Sequence, residues 1–296
     1  MFSRVNHDNA ALNRFLHRDE LRHITPLKMR SLYGEQMRGL EVTVADETAY
    51  VMVMPRAVSQ YDSVKYPTAM HVVCPALSED ASLALIDAVV DAMLDATRGE
   101  SFVVKTIDVA LIAALRDALG SVREMRYERA LCTFVPSFGE VNASRFAVTR
   151  RAVRALRLVD GVEVFPHVSD VAIPLLDAHD VYSASELAAM FAGGDGRCWV
   201  RRAEVANTCD GDAVAVLLTF PNTPTLHEIG SLYVRPDARR AGYAQVLVRA
   251  ALDDLLGRSL SVRYVVDAQN AASIALAERC GLREAMRLEH WLVNAI

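Results

Sequence analysis

The segment Arg239-Arg240-Ala241-Gly242-Tyr243-Ala244 gathers two positive charges, three small residues and the start of an apolar-periodic helix. That is the chemistry of a phosphate site. First-turn N–H groups and the positive end of a helix dipole favour an anion, and Gly242 and Ala244 let a pyrophosphate approach the main chain closely. Neither the dinucleotide fingerprint Gly-x-Gly-x-x-Gly nor the Gly-Lys-Ser/Thr ending of a P-loop is present. Taken alone, basic residues at a helix start are more often a feature of the surface than a ligand site.

Positioning such a loop takes a strand before it and a helix after it. The chain supplies this pattern twice, 161 positions apart. Around Pro236, the strand Leu226 to Val234 leads through a polar loop into a helix with Leu247, Ala251 and Leu255 on one face. Around Pro75, His71-Val72-Val73-Cys74 leads into a helix with Leu83, Ile86, Val90 and Met93 on one face. A second strand follows in each half, Phe102 to Lys105 and Tyr264 to Asp267, then a helix that stops at Gly120 or Gly281. Two common β-α-β-α patterns could also converge without duplication. A boundary is expected between Val135 and Thr149, where Pro136, Ser137, Phe138, Gly139, Asn142 and Ser144 interrupt the periodic segments. It gives domains 1-140 and 150-296. Within the second, Ser183 to Glu186 reads as a capping box for a helix to about Phe191. Turns at Gly193-Gly194-Asp195-Gly196, Gly211-Asp212 and Pro221 to Pro224 separate strands at Cys198 to Ala203, Ala213 to Phe220 and Leu226 to Val234, and Arg287 to Val293 is a last strand. The opening Asn9 to Tyr33, with Leu12, Phe15, Leu16, Leu21 and Ile24, reads as a core-packing helix pair.

Val234-x-Pro236-x-x-Arg239-x-x-Gly242-x-Ala244 resembles the acyl-CoA-binding motif of the GNAT superfamily of N-acetyltransferases. Asn270-x-x-Ser273 followed by Glu278-Arg279-Cys280-Gly281-Leu282 resembles that family's second motif, in the right order and at the right separation. The resemblance implies an α+β fold: two tandem GNAT-like domains, each a mixed, mostly antiparallel sheet flanked by helices with a splayed parallel strand pair. It implies acetyl-CoA between the splayed strands, with the pyrophosphate on Arg239, Arg240, Ala241, Gly242, Tyr243 and Ala244. Pantetheine would then run along Leu232, Tyr233 and Val234, near Asn270 and Ser273. The activity implied is direct transfer of an acetyl group to a primary amine. Glu228, 11 residues before Arg239, stands where protein-acetylating members carry their catalytic Glu. A carboxylate in an apolar strand pocket would have its pKa raised by desolvation, toward that of a general base. The alternative is a strand-end Glu paired with an Arg. His227 is the second candidate, on the opposite face by alternation unless a bulge intervenes. The chain departs from the family at Ala277, seven residues after Asn270, where the family's Tyr would protonate the thiolate. Tyr264 and Tyr243 are weak substitutes. The departure keeps open a non-catalytic acetyl-CoA-binding or interaction protein.

In the first half the loop becomes Pro75 to Ser82, with Ser78 and Glu79 in place of the arginines, Ala81 in place of Gly242, and Val109 in place of Asn270. This half reads as a degenerate GNAT-like domain without the cofactor. The whole chain has 296 residues, 32 Lys+Arg against 37 Asp+Glu, and five Cys with no Cys-x-x-Cys pair. A formal charge of −5 argues against a dedicated nucleic-acid binder. The exception is a basic run of Arg145, Arg150, Arg151, Arg154 and Arg157, which reads as a solvated strand or linker. The cysteines suit neither a disulfide framework nor a zinc ribbon, so no metal is expected. No apolar run approaches the ~20 residues of a membrane span, and the N-terminus lacks a signal-peptide pattern. The expectation is a cytoplasmic enzyme with a small-molecule or peptide amine acceptor, no membrane or nucleic-acid partner, and an oligomeric state left open.

Overall fold

The computed structural model describes residues 2–6, 8–55, 70–120, 122–137, 161–179, 182–203 and 211–295. The chain divides into two compact units, Met1–Leu131 with Met286–Ile296, and Cys132–Ala285. The last strand therefore packs with the first unit, where a single cut between 140 and 150 would assign it to the second. The basic run from Arg145 to Arg157 lies outside the described residues.

The first unit runs β1 (Phe2–Val5), α1 (Ala10–Leu16), α2 (Ile24–Tyr33), β2 (Arg38–Val44), β3 (Glu47–Pro55), β4 (Met70–Ala76), α3 (Leu83–Thr97), β5 (Ser101–Thr106), α4 (Val109–Leu119) and β6 (Met125–Pro136). β6 crosses into the second unit at Cys132. β1, β2, β3 and β4 pair antiparallel in that order, whereas β4 and β5 are parallel from Met70↔Ser101 to Val73↔Val104. The carboxy-terminal segment Glu289–Val293 continues this sheet antiparallel on β5. One sheet face buries Val51, Val53, Phe102 and Val104 under the apolar stripes of α3 and α4, including Ile86, Val90, Met93 and Leu115. On the other, Tyr50, Met52 and Met54 pack against Leu12, Phe15 and Leu16 of α1 and Leu27 of α2, as expected of the opening helices.

The second unit runs β7 (Val162–Phe165), α5 (Ile173–His179), α6 (Ala184–Phe191), β8 (Arg197–Arg202), β9 (Ala213–Pro221), β10 (Leu226–Val234), α7 (Tyr243–Gly257), β11 (Ser261–Asp267), α8 (Ala271–Arg279) and β12 (Leu282–Val293), which returns to the first unit at Met286. β7, β8, β9 and β10 form an antiparallel meander, and β10 and β11 are parallel. α6 begins at the capping box the sequence announces, with the Ser183 hydroxyl accepting from Glu186 N–H and the Glu186 carboxylate accepting from Ser183 N–H. α7 and α8 cover a core of Trp199, Leu217, Ile229, Leu247, Ala251 and Tyr264. Cys198, Val200, Val216, Leu218 and Phe220 face the other way, toward α5 and α6.

Both units thus repeat strand, helix, parallel strand, helix. At the sequence offset of 161, α3, β5 and α4 fall on α7, β11 and α8 to within a residue at each boundary. Both α4 and α8 end at a left-handed glycine, Gly120 with φ +52° and Gly281 with φ +81°. Among the described residues, no helix is long and apolar enough to cross a membrane.

Candidate acyl-CoA and acceptor site

β10 and β11 stay in register for four residues, Leu226↔Ser261 to Ile229↔Tyr264. Beyond that point pairing stops, although β10 runs to Val234 and β11 to Asp267, so the strands splay. β10 also changes register against β9 between Gly230 and Tyr233, with Ser231 at φ +48°. A bulge of this kind re-aims the residues after it. It puts Leu232 and Val234 against the α7 side and Tyr233 on the α5 side, with the Tyr233 ring 5.6 Å from that of His179.

The bulge lies after His227 and Glu228, so the alternation between them is intact. Glu228 is paired across the ladder with Phe220, which faces α5 and α6. His227 is on the opposite side, with Ile229 and the C-terminal end of α7. The histidine is 1% exposed, and burial, with a smaller contribution from Arg258, lowers its pKa to about 4. Its Nδ1 has no hydrogen-bond partner among the described residues. A neutral imidazole on the far face of the strand does not join Glu228.

Glu228 is 4% exposed, but its surroundings are not the apolar pocket expected. Arg263, its register partner on β11, donates from Nε to Glu228 Oε2 at 3.0 Å and from Nη2 to the same oxygen. Asn222, in the turn before β10, donates from Nδ2 to that oxygen at 2.9 Å. The strand-end Glu and Arg pairing is thus what the fold builds. Oε1 lies on the side of Gly230, 3.6 Å from where a Cβ there would stand. Asn222 Oδ1 and Ser231 Oγ are buried without a hydrogen-bond partner among the described residues, which leaves polar capacity near the splay.

The basic loop ends at α7. Arg240 and Gly242 are both left-handed, φ +67° and +84°, and Gly242, as the residue preceding the helix, offers no side-chain cap. A Cβ at Gly242 would meet nothing within 4 Å, so the glycine serves the backbone angle and not a close packing. Arg239 ties the loop back by donating from Nε to Val234 O at 3.2 Å. Arg239, Arg240, Ala241 and Gly242 are exposed, and no side-chain cap closes the first turn of α7 among the described residues. Such an N-terminus suits a pyrophosphate. The Arg201 guanidinium stacks 5.5 Å from the Tyr243 ring centroid.

The corresponding helix in the first unit is closed. Ser82 caps α3 by accepting from Leu85 N–H at 3.2 Å, and Glu47 of β3 accepts from Ser82 N–H at 3.1 Å and from the Ser82 hydroxyl. The chain's own carboxylate stands at this N-terminus. Glu47, from outside the loop that carries Ser78 and Glu79, thus occupies this helix end.

On α8, Asn270 Oδ1 caps the helix by accepting from Ser273 N–H at 3.0 Å. Ser273 Oγ shares a 2.6 Å hydrogen bond with Tyr264 OH. Tyr264 is 2% exposed, and burial raises its pKa above the usual phenol range. Ala277 is fully buried in the core beneath α8. Sequence reasoning missed Arg263, Asn222 and Glu47. The available signal for the first was an arginine inside an otherwise apolar strand.

The sequence model of the acetyltransferase (GNAT) family matches residues 169–282. No curated protein matches the chain. Among solved structures, a Drosophila protein is 13% identical over 99% of this chain and 98% of its own, with a TM-score of 0.60. An acetyltransferase from the GNAT family of Colwellia psychrerythraea is 10% identical over 99% of each chain, at 0.58. A tandem GNAT protein from the clavulanic acid biosynthesis pathway is 12% identical over 99% of this chain and 97% of its own, at 0.57. The fold is that of two tandem GNAT-like domains, and the second carries the family's sequence signature.

Proposed function

We propose that the second unit is an N-acetyltransferase that moves an acetyl group from acetyl-CoA directly to a primary amine of a small molecule or peptide. The observation that carries this reading is the uncapped, arginine-flanked N-terminus of α7 beside the splay of β10 and β11. The bound thioester supplies an activated acetyl carbon. The amides of Tyr243 and Ala244, with Arg239 and Arg240, hold its pyrophosphate. Leu232 and Val234 flank its pantetheine, and the Asn270 amide group left over from capping, together with Ser273, lies beside the same arm. Glu228 receives the ammonium of the acceptor and takes its proton. The amine nitrogen then forms the new C–N bond, the C–S bond breaks, and the thiolate leaves with the electron pair and is protonated from solvent.

Saturating acetyl-CoA tests the reading. At 100 times the dissociation constant it stabilises a one-site protein by about 2.7 kcal/mol, seen as a raised melting temperature in the wild type and not in Gly242→Glu. An unchanged wild-type melting temperature overturns the cofactor assignment. A second reading, an acetyl-CoA-binding protein without transfer, is favoured by Ala277, which puts no hydroxyl where a thiolate would be protonated, while Tyr264 is engaged with Ser273. Tight acetyl-CoA binding with no CoA release across an amine library selects it.

A further inference from the structure

Two hydroxyls, those of Tyr264 and Ser273, have no part in the reaction as written above. Tyr264 stands opposite Ile229 in the last matched pair of β10 and β11, at the apex of the splay. Its side chain belongs to the same packed face as Leu232, Val234 and Ala277. Its hydroxyl lies 2.6 Å from Ser273 Oγ, in the first turn of α8, where the Asn270 cap fixes the Ser273 backbone. Burial decides the direction of that hydrogen bond. Tyr264 is 2% exposed, and Ser273 Oγ is the one hydrogen-bond partner of its hydroxyl among the described residues. Burial also keeps the proton on the phenol by raising its pKa. A buried O–H left without an acceptor is costly, so Tyr264 donates and Ser273 Oγ accepts. The hydrogen of Ser273 is then directed away from Tyr264, and Ser273 is only half-buried.

We propose that Ser273 donates its hydroxyl hydrogen to the sulfur of the departing CoA thiolate, and that Tyr264 is the positioning residue that fixes the direction of this donor. This rests on the transferase reading above. With the pyrophosphate at the start of α7 and the pantetheine running back along Val234 and Leu232, the sulfur end of the arm comes to the apex of the splay. Ser273 is the only hydroxyl in α8, and Ala277 stands one turn further along the same face. As the C–S bond breaks, its electron pair stays on sulfur. An O–H already aimed at that atom stabilises the charge that develops there more than it does the neutral thioester. No proton leaves Ser273: the thiolate is protonated from solvent, and the proton of the amine goes to Glu228.

The test uses the full-length protein saturated with CoA, the free thiol, whose ionisation is followed by the ultraviolet absorbance of the thiolate. In Ser273→Ala the midpoint of the bound thiol lies about 1–2 pH units above that in wild type, the usual effect of removing a hydrogen bond to a charged group. Ser273→Thr restores the wild-type midpoint. Tyr264→Phe, which retains the ring in the core, moves it up by a smaller interval, and the Ser273 variants keep the test decisive if Tyr264→Phe does not fold. In calorimetry, the preference of CoA for wild type over Ser273→Ala grows by about 10- to 100-fold as the thiol ionises, whereas acetyl-CoA, with no thiol to ionise, binds both alike at every pH. Equal midpoints in wild type and Ser273→Ala overturn the proposal, as does a loss of affinity that is the same for CoA and acetyl-CoA. A wild-type midpoint in Tyr264→Phe overturns the positioning role. A wild type that binds CoA and transfers acetyl to no amine, with the thiol midpoint still raised in Ser273→Ala, overturns the transferase reading while the hydroxyl pair stands; a wild type that binds no CoA overturns both.

Discussion

Glu228 and His227 are adjacent in sequence and separated by the thickness of a sheet, and their roles divide accordingly. Replacing Glu228 by Gln keeps its shape and removes its capacity to take a proton. The expected outcome is a turnover number lower by about 10²–10⁴, the typical contribution of a general base, with acetyl-CoA affinity unchanged in calorimetry. His227 contributes to stability instead. Its folded pKa of about 4 lies below the ordinary 6.5, so the unfolded chain binds more protons between those values. Its contribution is complete above about pH 6.5 and is lost as pH falls toward 4. A shift of this size is worth at most about 3 kcal/mol. His227→Gln should therefore flatten the acid side of the stability curve in denaturant titrations between those pH values, the remaining slope including contributions from His179 and His290, whose pKa values burial also lowers. An unchanged slope would show that His227 does not reach the neutral, buried state in solution.

Helix ends separate what was legible from what was not. The Ser183 capping box, the glycine stops at Gly120 and Gly281, and the strand Leu226–Val234 follow from local chemistry, because caps and turns depend on residues a few positions apart. The partners of Glu228 do not. Arg263 is 35 positions away in sequence and meets Glu228 only through the parallel register of β10 and β11. Glu47 likewise reaches α3 across 35 positions, so the closing of that helix could not be read from the loop before it. A bulge in this strand was allowed for, but its place at Ser231, after Glu228, was not legible, since nothing in Gly-Ser-Leu dictates where the ladder shifts. For α7, the left-handed Gly242 makes a definite expectation: Gly242→Ala places a methyl in open space but forces a φ that costs an L-residue roughly 1–2 kcal/mol. Acetyl-CoA affinity should fall by about 5- to 30-fold by calorimetry, and a wild-type affinity would mean the loop does not hold that angle when binding. For α3, Glu47→Ala should lower the unfolding free energy by about 1–3 kcal/mol through the unpaired Ser82.

The two units share a chain order but exchange strands, since Met286–Ile296 belongs to the first and Cys132–Pro136 to the second. A fragment 150–296 therefore carries the strand Glu289–Val293 without the β5 it pairs with, and it should aggregate or lose cooperative unfolding although it holds the whole phosphate loop. Calorimetry on the intact chain should report one acetyl-CoA per polypeptide; two equivalent sites would contradict the closed state of α3. That closed state has a further consequence. The carboxylate at Ser82 is tethered, so its effective concentration is set by chain geometry and does not vary with any solute. On the function proposed above, the anion at α7 arrives from outside and leaves again. On that reading the N-terminus of α3 gains nothing from added acetyl-CoA, while the second unit is stabilised in proportion to the logarithm of its concentration. Heating the protein at rising acetyl-CoA should thus raise the unfolding transition through the second unit, whereas Glu47→Ala should lower it by the same amount with and without the ligand.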